Sequence, residues 1–343
     1  MKRFYLSSKK GISGICKYSR DFYELVLKER GYVFIDSSDL SSDILSTISS
    51  RDHVHIEVGI FQRKEIEILF LMLKANYKNV TITMHDAPLL KYPFYTFKSP
   101  LLNGVSKFYE KYASSMGAAI PYVKKIKAIY ALTNKGVDAI KRKYGVDNVY
   151  YLPHIVNPAE TKKSAANNSD FIYFGFIGRN KGIEYSLKLH QQLINKHPDS
   201  NFHVVGKPLG KEVQFYETLK ERYRKNVHFY GYLEEDQLDE VFDRAMFAFI
   251  PFNNYRFFWP ASGSILYSLK KGKIVITNNV NSISEIIENQ RNGFMLSGDT
   301  RKDIKNISEI ISDKPLLEKV KEDVYDYMMT KHSPEEVKKS FKD

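Results

Sequence analysis

The chain has 343 residues, more than one typical hydrophobic core accommodates, so two domains are expected. Its 43% hydrophobic and 14% aromatic residues suffice to fill those cores and exclude a disordered chain. The 52 Lys and Arg against 40 Asp and Glu leave a net charge of +12, which favours polyanions of any kind: nucleic acid, anionic lipid headgroups or phosphorylated small molecules. The single cysteine, Cys16, excludes a disulfide framework and fits a reducing compartment. MKRFYLSSKKG at the start carries no signal-peptide pattern, and no apolar run reaches the roughly 18 residues of a membrane span. A cytoplasmic protein is expected.

Taken in order, RFYLS (3–7) predicts a strand, followed by the glycine loop KKGISG with Gly11 and Gly14 and a helix across ICKYSRDFYELVLKERG. YVFID, VHIEVG, VTITMHD and KAIYALT (127–133) predict further strands, with helices such as KEIEILFLMLKAN between them. His53, His55 and Glu57 alternate and share one face of VHIEVG. With no fourth ligand in view, a polar strand end facing a cleft is favoured over a metal site. After VYYLPHIV (149–156) the pattern lapses into the polar NPAETKKSAANNSD, read as a linker. Alternation then resumes through FIYFGFIG, FHVVG (202–206), VHFYG (227–231), MFAFIPF (246–252) and KIVIT (273–277). Two successive β/α blocks imply two parallel, doubly wound sheets, whose ligands gather at the carboxyl ends of the strands.

Several features fall at those ends in the second half. The first strand runs into GRNKG, which sets Arg179 and Lys181 between Gly178 and Gly182 on a strand-to-helix turn. Gly206-Lys207-Pro208 follows the second strand. PFNNYRFFWPASGSILYSLKKG leads into a helix starting near Ser262, where Gly263 admits a close backbone approach and Ser264 adds a hydroxyl at the positive end of the helix dipole. Helix N-termini and glycine turns expose N–H groups to phosphate, so these pieces suit one diphosphate. Ordinary N-capping accounts equally for Ser262 and Ser264. Ser282-Ile-Ser-Glu285 reads as a capping box, with substrate contact by Glu285 as the alternative, and Lys270 and Lys271 read as a solvated helix end.

In this order and spacing, GR-x-KG, VVG, VHFYGYLEEDQLDEVFDRAMFAFIPF, SGSILYSLKKGKIVIT and SEIIENQRNGFML resemble the C-terminal half of family 4 glycosyltransferases of the GT-B fold, over roughly residues 170 to 300. The glycine loop, VTITMHDAP, YALTNKG and YYLPHIV resemble the family's N-terminal half, and SPEEVKKSFKD its closing helix. The resemblance implies an α/β protein with two Rossmann-like domains facing a central cleft. Residues 1–157 would bind the acceptor, 158–169 link, 170–320 bind a nucleotide sugar, and 321–343 form C-terminal helices packing back toward the first domain. It further implies a retaining, metal-independent hexosyl transfer needing no cofactor. In that scheme Arg179 and Lys181 grip the donor diphosphate, with Gly178, Gly206, Lys207, Ser262, Gly263, Ser264 and Tyr267 also on the donor side. His85 borders the donor sugar, Asp86 orients that ring or binds a substrate hydroxyl, and Gly14 and Glu57 lie on the acceptor side. The family's two glutamates, eight positions apart, are replaced by Trp259 and Tyr267. That departure keeps a non-catalytic nucleotide-sugar or glycan-binding subunit open as the alternative, with a GT-B epimerase disfavoured by the C-terminal motifs.

The stretches KYPFYTFK (91–98), KFYEKY (107–112) and YVKKIK (122–127) crowd lysine beside aromatics. They suit an anionic membrane surface, single-stranded nucleic acid, or plain packing with exposed lysines. Because the resembling enzymes often use lipid-linked acceptors, the membrane is favoured and nucleic acid is not expected. The expectation is a peripheral enzyme on the inner face of the plasma membrane, acting on a glycan or polyprenyl-linked acceptor in bacterial surface polysaccharide synthesis.

Overall fold

The computed structural model describes residues 1–9, 14–39, 47–91, 99–161, 166, 168–208, 210–253 and 259–342. Gly11 and the 92–98 part of the first basic-aromatic stretch lie outside these residues. The chain divides into two units: Met1–Asn157, Arg256–Ala261 and His332–Asp343 form the first, and Pro158–Tyr255 with Ser262–Lys331 form the second. The helix Lys314–Lys331 thus counts with the second unit, and only the chain from His332 onward with the first.

In the first unit the apolar runs form β1 (Arg3–Ser7), β2 (Tyr32–Asp36), β3 (His53–Val58), β4 (Val80–Met84), β5 (Ala128–Ala131) and β6 (Val149–Tyr151). They make one parallel sheet in the order β2-β1-β3-β4-β5-β6. Every residue of β3 and β4 is buried, as helices on both faces of a parallel sheet require. Yet the two strands alternate like half-exposed ones. Val54, Ile56, Val58, Val80, Ile82 and Met84 face an aliphatic cluster with Ile66, Leu69 and Leu73 of the helix Arg63–Lys74. His53, His55, Glu57, Thr81 and Thr83 occupy the alternate positions, and all five are buried too. Their side of the sheet carries an aromatic cluster of Tyr5, Tyr18, Phe22, Tyr130 and Phe341. The predicted first helix is regular over Gly14–Phe22 and widens into a π-helical turn at Tyr23–Leu27.

The second unit holds β7 (Phe171–Phe174), β8 (Phe202–Val205), β9 (Val227–Gly231), β10 (Phe247–Phe249), β11 (Ile274–Asn278) and β12 (Gly293–Leu296). Its order is β12-β11-β10-β7-β8-β9, again all parallel. Phe171 anchors the core, stacked on Phe247 at 5.3 Å and on Phe202 at 6.1 Å. β12 was not anticipated, because GFML is only four residues long and shows no period of its own.

Two expectations are corrected. Lys270 and Lys271 are buried, not solvated: Lys270 pairs with Glu160, and Lys271 Nζ donates to Asp239 at 2.7 Å. Ser282 makes no side-chain cap, because Ile283–Glu285 is a single 3₁₀ turn whose Glu285 N–H donates to the Ser282 carbonyl. No helix among the described residues is long and apolar enough to cross a membrane.

Strand order fixes where ligands have room. Strand order reverses between β1 and β3 in the first sheet and between β7 and β10 in the second, and sheets of this class take their ligands at the carboxyl ends beside such a switch.

Phe341 follows the helix Pro334–Ser340 and sits edge-on to Phe22 at 5.3 Å and to His55 at 5.0 Å, with Tyr130 also at 5.0 Å. Phe341→Ala is expected to destabilise the first unit by about 3–5 kcal/mol. Urea unfolding followed by hydrogen exchange of the β1 and β3 amides measures this.

Candidate active site

The second unit brings its predicted pieces to the switch point. β7 ends at Phe174, the chain passes through Gly175–Gly178, and Arg179–Lys181 form a 3₁₀ turn closed by Gly182 before the helix Ile183–Leu193. Gly182 has φ +70°, and a Cβ there would lie 2.4 Å from the Pro251 carbonyl oxygen, so only glycine lets the turn press on the loop after β10. Asn253 fixes the same contact, donating its side-chain N–H to the Arg179 carbonyl at 2.8 Å and its backbone N–H to the Asn180 carbonyl. The backbone of the turn is thereby held on the loop after β10 at Arg179 and Asn180 and at Gly182's contact with Pro251.

The two cations point out of that frame. Arg179 is exposed, its guanidinium 4.6 Å over the Phe215 ring, and its backbone N–H donates to Glu212. Lys181 is half-buried, with its ammonium 5.6 Å from the Phe252 ring. Across the switch, Ser262 caps the helix Gly263–Lys270 by accepting the Ile265 N–H, and its hydroxyl lies 3.2 Å from that of Ser264. Ser264 packs on the β7 loop, its Cβ 3.6 Å from where a Gly175 side chain would begin. Gly206, at φ +147°, leaves no room for a side chain: a Cβ would fall 1.8 Å from the Gly175 carbonyl oxygen. Lys207 is exposed next to it, its carbonyl accepting the Ile177 N–H and its ammonium 5.5 Å from Tyr232. Gly178, Arg179, Lys181, Gly206, Lys207, Ser262, Gly263 and Ser264 therefore stand on three adjoining loops at one sheet end. Tyr267 stands apart. It is one turn into the helix, packed on Phe174 at 4.8 Å, and its hydroxyl is directed at Asp239 at 3.5 Å. Burial, and then the Asp239 charge, push its pKa well up.

In the first unit His85 follows β4 and sits at the carboxyl end of the sheet, its Nε2 2.7 Å from Glu57 Oε2. Glu57 also accepts from the Tyr5 hydroxyl at 2.9 Å and has His55 Nε2 3.3 Å away. Burial alone would raise the Glu57 pKa. The hydrogen bonds and charges of His55 and His85 outweigh it and bring the pKa down to about 2. An ionised carboxylate only accepts, so His85 Nε2 carries the proton and donates. The Tyr18 ring packs edge-on against His85 at 4.8 Å, fixing the ring from the side.

Glu57 is thus not at the surface of the site, as a polar strand end would be; it is fully buried and acts on His85. Asp86, expected to orient the ring or bind a substrate hydroxyl, accepts the Ile60 N–H through Oδ2 at 2.9 Å. His53 and His55 are held by Thr81, at 3.0 and 2.8 Å, and His55 by Thr83 as well. Among the described residues no group of three or more His, Cys, Asp or Glu is arranged to hold a metal ion. Gly14 opens its helix with nothing within 4 Å of a Cβ. Trp259 belongs to the first unit, where its N–H donates to the Ala87 carbonyl at 2.7 Å and its carbonyl accepts from Thr133.

One residue escaped sequence reading. Gln62 is buried, and its Oε1 has no hydrogen-bond partner. It lies 3.0 Å from a Cβ placed on Gly59, with Asp86 Oδ2 at 3.1 Å, so two acceptor oxygens converge beside Gly59. No spacing rule links Gln62 to Asp86. Only the adjacency of β3 and β4 does.

Residues 157–326 match the family model of the group 1 glycosyl transferases. No curated protein matches the chain in sequence. Among solved structures, Anabaena HepE in complex with UDP and glucose aligns at TM-score 0.70 and 13% identity, over 99% of this chain and 97% of that one. Sucrose-phosphate synthase from Thermosynechococcus elongatus gives 0.72 and 13%, over 98% and 96%. A Staphylococcus aureus TarM mutant in complex with fondaparinux, alpha-GlcNAc-glycerol and UDP gives 0.64 and 14%, over 87% of this chain; the chain spans only 56% of TarM. At such identities the likeness is one of fold, and the fold is GT-B. With the family-model match, it supports a glycosyltransferase.

Two outcomes are expected here. Folded-state Glu57 titrates near 2 and the free carboxyl near 4.5, so its contribution to stability is complete above about 4.5 and drains away as pH falls toward 2. Hydrogen exchange of the β3 amides across that window should show the loss in the native chain and a flat response in Glu57→Gln. Gly206→Ala should cost the second unit about 3 kcal/mol or more in urea unfolding, whereas Gly263→Ala, with nothing within 4 Å, should stay within about 1 kcal/mol.

Proposed function

We propose that the chain transfers a sugar from a nucleoside-diphosphate donor, held by the second unit, to a hydroxyl of a glycan or lipid-linked glycan held by the first. One observation carries the reading: the Arg179–Lys181 turn and the N-terminus of the helix Gly263–Lys270 stand at the same switch point, joined through Gly175 and Ser264. Breaking the donor's glycosidic bond leaves charge on the diphosphate. Two side-chain cations and a helix dipole already oriented toward that spot stabilise it without reorganising. Their charge would serve where other transferases employ a divalent ion, and the proposal needs no cofactor. Solved structures of the same fold hold UDP, which makes uridine donors the first to try.

On the acceptor side, Asp86 is part-exposed at the carboxyl end of the first sheet and offers a carboxylate to sugar hydroxyls. His85, its Nε2 held on Glu57, stands at the carboxyl end of the sheet, where its ring can meet a hydroxyl at the reacting centre. Retention of anomeric configuration belongs to the proposal, as does a setting in surface polysaccharide assembly. A second reading, a non-catalytic nucleotide-sugar-binding subunit, is favoured by one observation: the Tyr267 hydroxyl is directed at Asp239 instead of a ligand.

A panel of nucleotide sugars with cell-derived lipid acceptors separates the two. Turnover releases one free nucleoside diphosphate and gives a product whose anomeric coupling in proton NMR reports retention. Binding without turnover selects the second reading. Arg179→Ala with Lys181→Ala is expected to weaken nucleoside-diphosphate binding by about 100-fold, roughly 2.7 kcal/mol, with the melting temperature unchanged. Unchanged affinity would remove the donor site from this turn.

A further inference from the structure

A cavity of about 330 Å³ opens on the second unit at the outer edge of its sheet, a volume at which small-ligand sites begin. It lies at the amino end of β12. Asn289 and Gln290 precede that strand, and the helix Thr300–Ser312 runs back past it to bring Asn306, Glu309, Ile310 and Asp313 alongside. Their spacing sets these four on one face of the chain's last helical turns there. The Arg179–Lys181 turn follows the carboxyl end of β7, so the cavity belongs to the opposite end of the same parallel sheet. Its walls are fixed in advance. Gln290 has φ +64°, left-handed backbone that a residue with a side chain keeps only when its surroundings hold it there. Two hydrogen bonds do so: the Gln290 N–H donates to the Gly293 carbonyl at 2.8 Å, and Asn289 Oδ1 accepts the Met295 N–H at 2.9 Å. On the other wall Asp313 Oδ1 accepts the Leu316 N–H at 3.1 Å and sets the corner into the helix Lys314–Lys331.

The lining decides the ligand. On a chain that carries +12, the described residues around this cavity include two carboxylates and no lysine, arginine or histidine, so phosphate and sulfate are repelled. Nor is it built for a cation: Lys305 Nζ stands 3.8 Å from Glu309, and one oxygen of Asp313 is spent on Leu316. Hydrogen bonding is what remains. The side-chain amides of Gln290 and Asn306 make no hydrogen bond among the described residues, and each can both donate and accept, whereas Glu309 only accepts. Met295, Ile310 and Leu316 supply apolar wall between these groups. A pyranose ring has the matching pattern, with hydroxyls round its edge that donate and accept and C–H groups on its faces. We propose that the cavity binds one sugar of a neutral glycan, at a site separate from the donor turn. A glycan held there is anchored to the second unit through a sugar that takes no part in transfer. The site does not depend on the transfer reading, since a subunit that only bound nucleotide sugars would carry it unchanged.

The test follows the methyl signals of Met295, Ile310 and Leu316 by NMR in the full chain. The probes are maltotriose, cellotriose and chitotriose, with spermidine and inorganic phosphate as charged controls. At least one trisaccharide is expected to shift all three residues' methyls, with UDP added as without it, while phosphate and spermidine leave them in place. Asn306→Ala combined with Glu309→Gln changes two exposed side chains, should keep the melting temperature, and should weaken that binding at least about tenfold. Equal shifts in native and variant chains would overturn the proposal, as would no shift with any trisaccharide. Shifts by spermidine alone would also overturn it, giving the cavity to a cation. Loss of the trisaccharide shifts on adding UDP would do the same by merging the cavity with the donor site. Donor turnover is measured apart from these signals, so failure here leaves the transfer reading to its own assay.

Discussion

A carboxylate with no access to water, Glu57, governs the first unit. An isolated buried charge of this kind is costly, and its native neighbours make it tolerable: the Tyr5 hydroxyl and the ring N–H of His85 donate to it, and His55 stands beside it. Each of those groups is itself fixed. His55 is held between Thr81 and Thr83, Thr81 also holds His53, and His53 pairs with the Tyr32 hydroxyl. The network runs across β2, β3 and β4 in register, where His55 lies opposite Thr81 and Glu57 opposite Thr83. The sheet therefore cannot slip by one residue without exchanging this polar ladder for Val54, Ile56 and Val58. A polar ladder satisfied inside a sheet specifies one register as firmly as an apolar face does. Its open end is His85, so the element that fixes the register also sets the ring orientation presented at the carboxyl end of the sheet.

The second unit meets its constraint with backbone instead of charge. Three loops at the ends of β7, β8 and β10 approach more closely than side chains permit, and Gly182 and Gly206 are where the approach is closest. Close packing of bare backbone leaves the amides of the turn nowhere to relax. That rigidity is what an anion site needs if its donors are to be oriented before the ligand arrives. Lys270 and Lys271, buried against Glu160 and Asp239, secure the far end of the helix whose N-terminus completes the arrangement.

Much of this was legible in the chain. Ten of the strands announced themselves as apolar runs, and the alternation with helices gave two parallel sheets; β6 was seen only as the end of that alternation, and β12 not at all, because four residues carry too little pattern. The GRNKG turn was readable because glycine and cation spacing is local, and so was the helix start at Ser262. What escaped was everything that depends on neighbouring strands. His53, His55 and Glu57 were visible as one face, but their burial was not, since period-2 alternation ordinarily signals a wet side. The link from Glu57 to His85 crosses 28 residues of sequence and is made by the β3–β4 pairing. Gln62 and Asp86 meet for the same reason. Lys270 and Lys271 looked solvated because their carboxylate partners lie far away in the chain.

Polar side chains buried in β3 and β4 persist because the protein itself supplies their partners: Thr81 and Thr83 for the two histidines, the Tyr5 hydroxyl and the His85 ring for Glu57. Burying a polar group is costly only while its hydrogen bonds are unmade, so a ladder closed on itself is tolerated where an isolated carboxylate would not be. The same closure reaches the end of the sheet through His85, whose ring is held by Glu57 on one side and by Tyr18 on another.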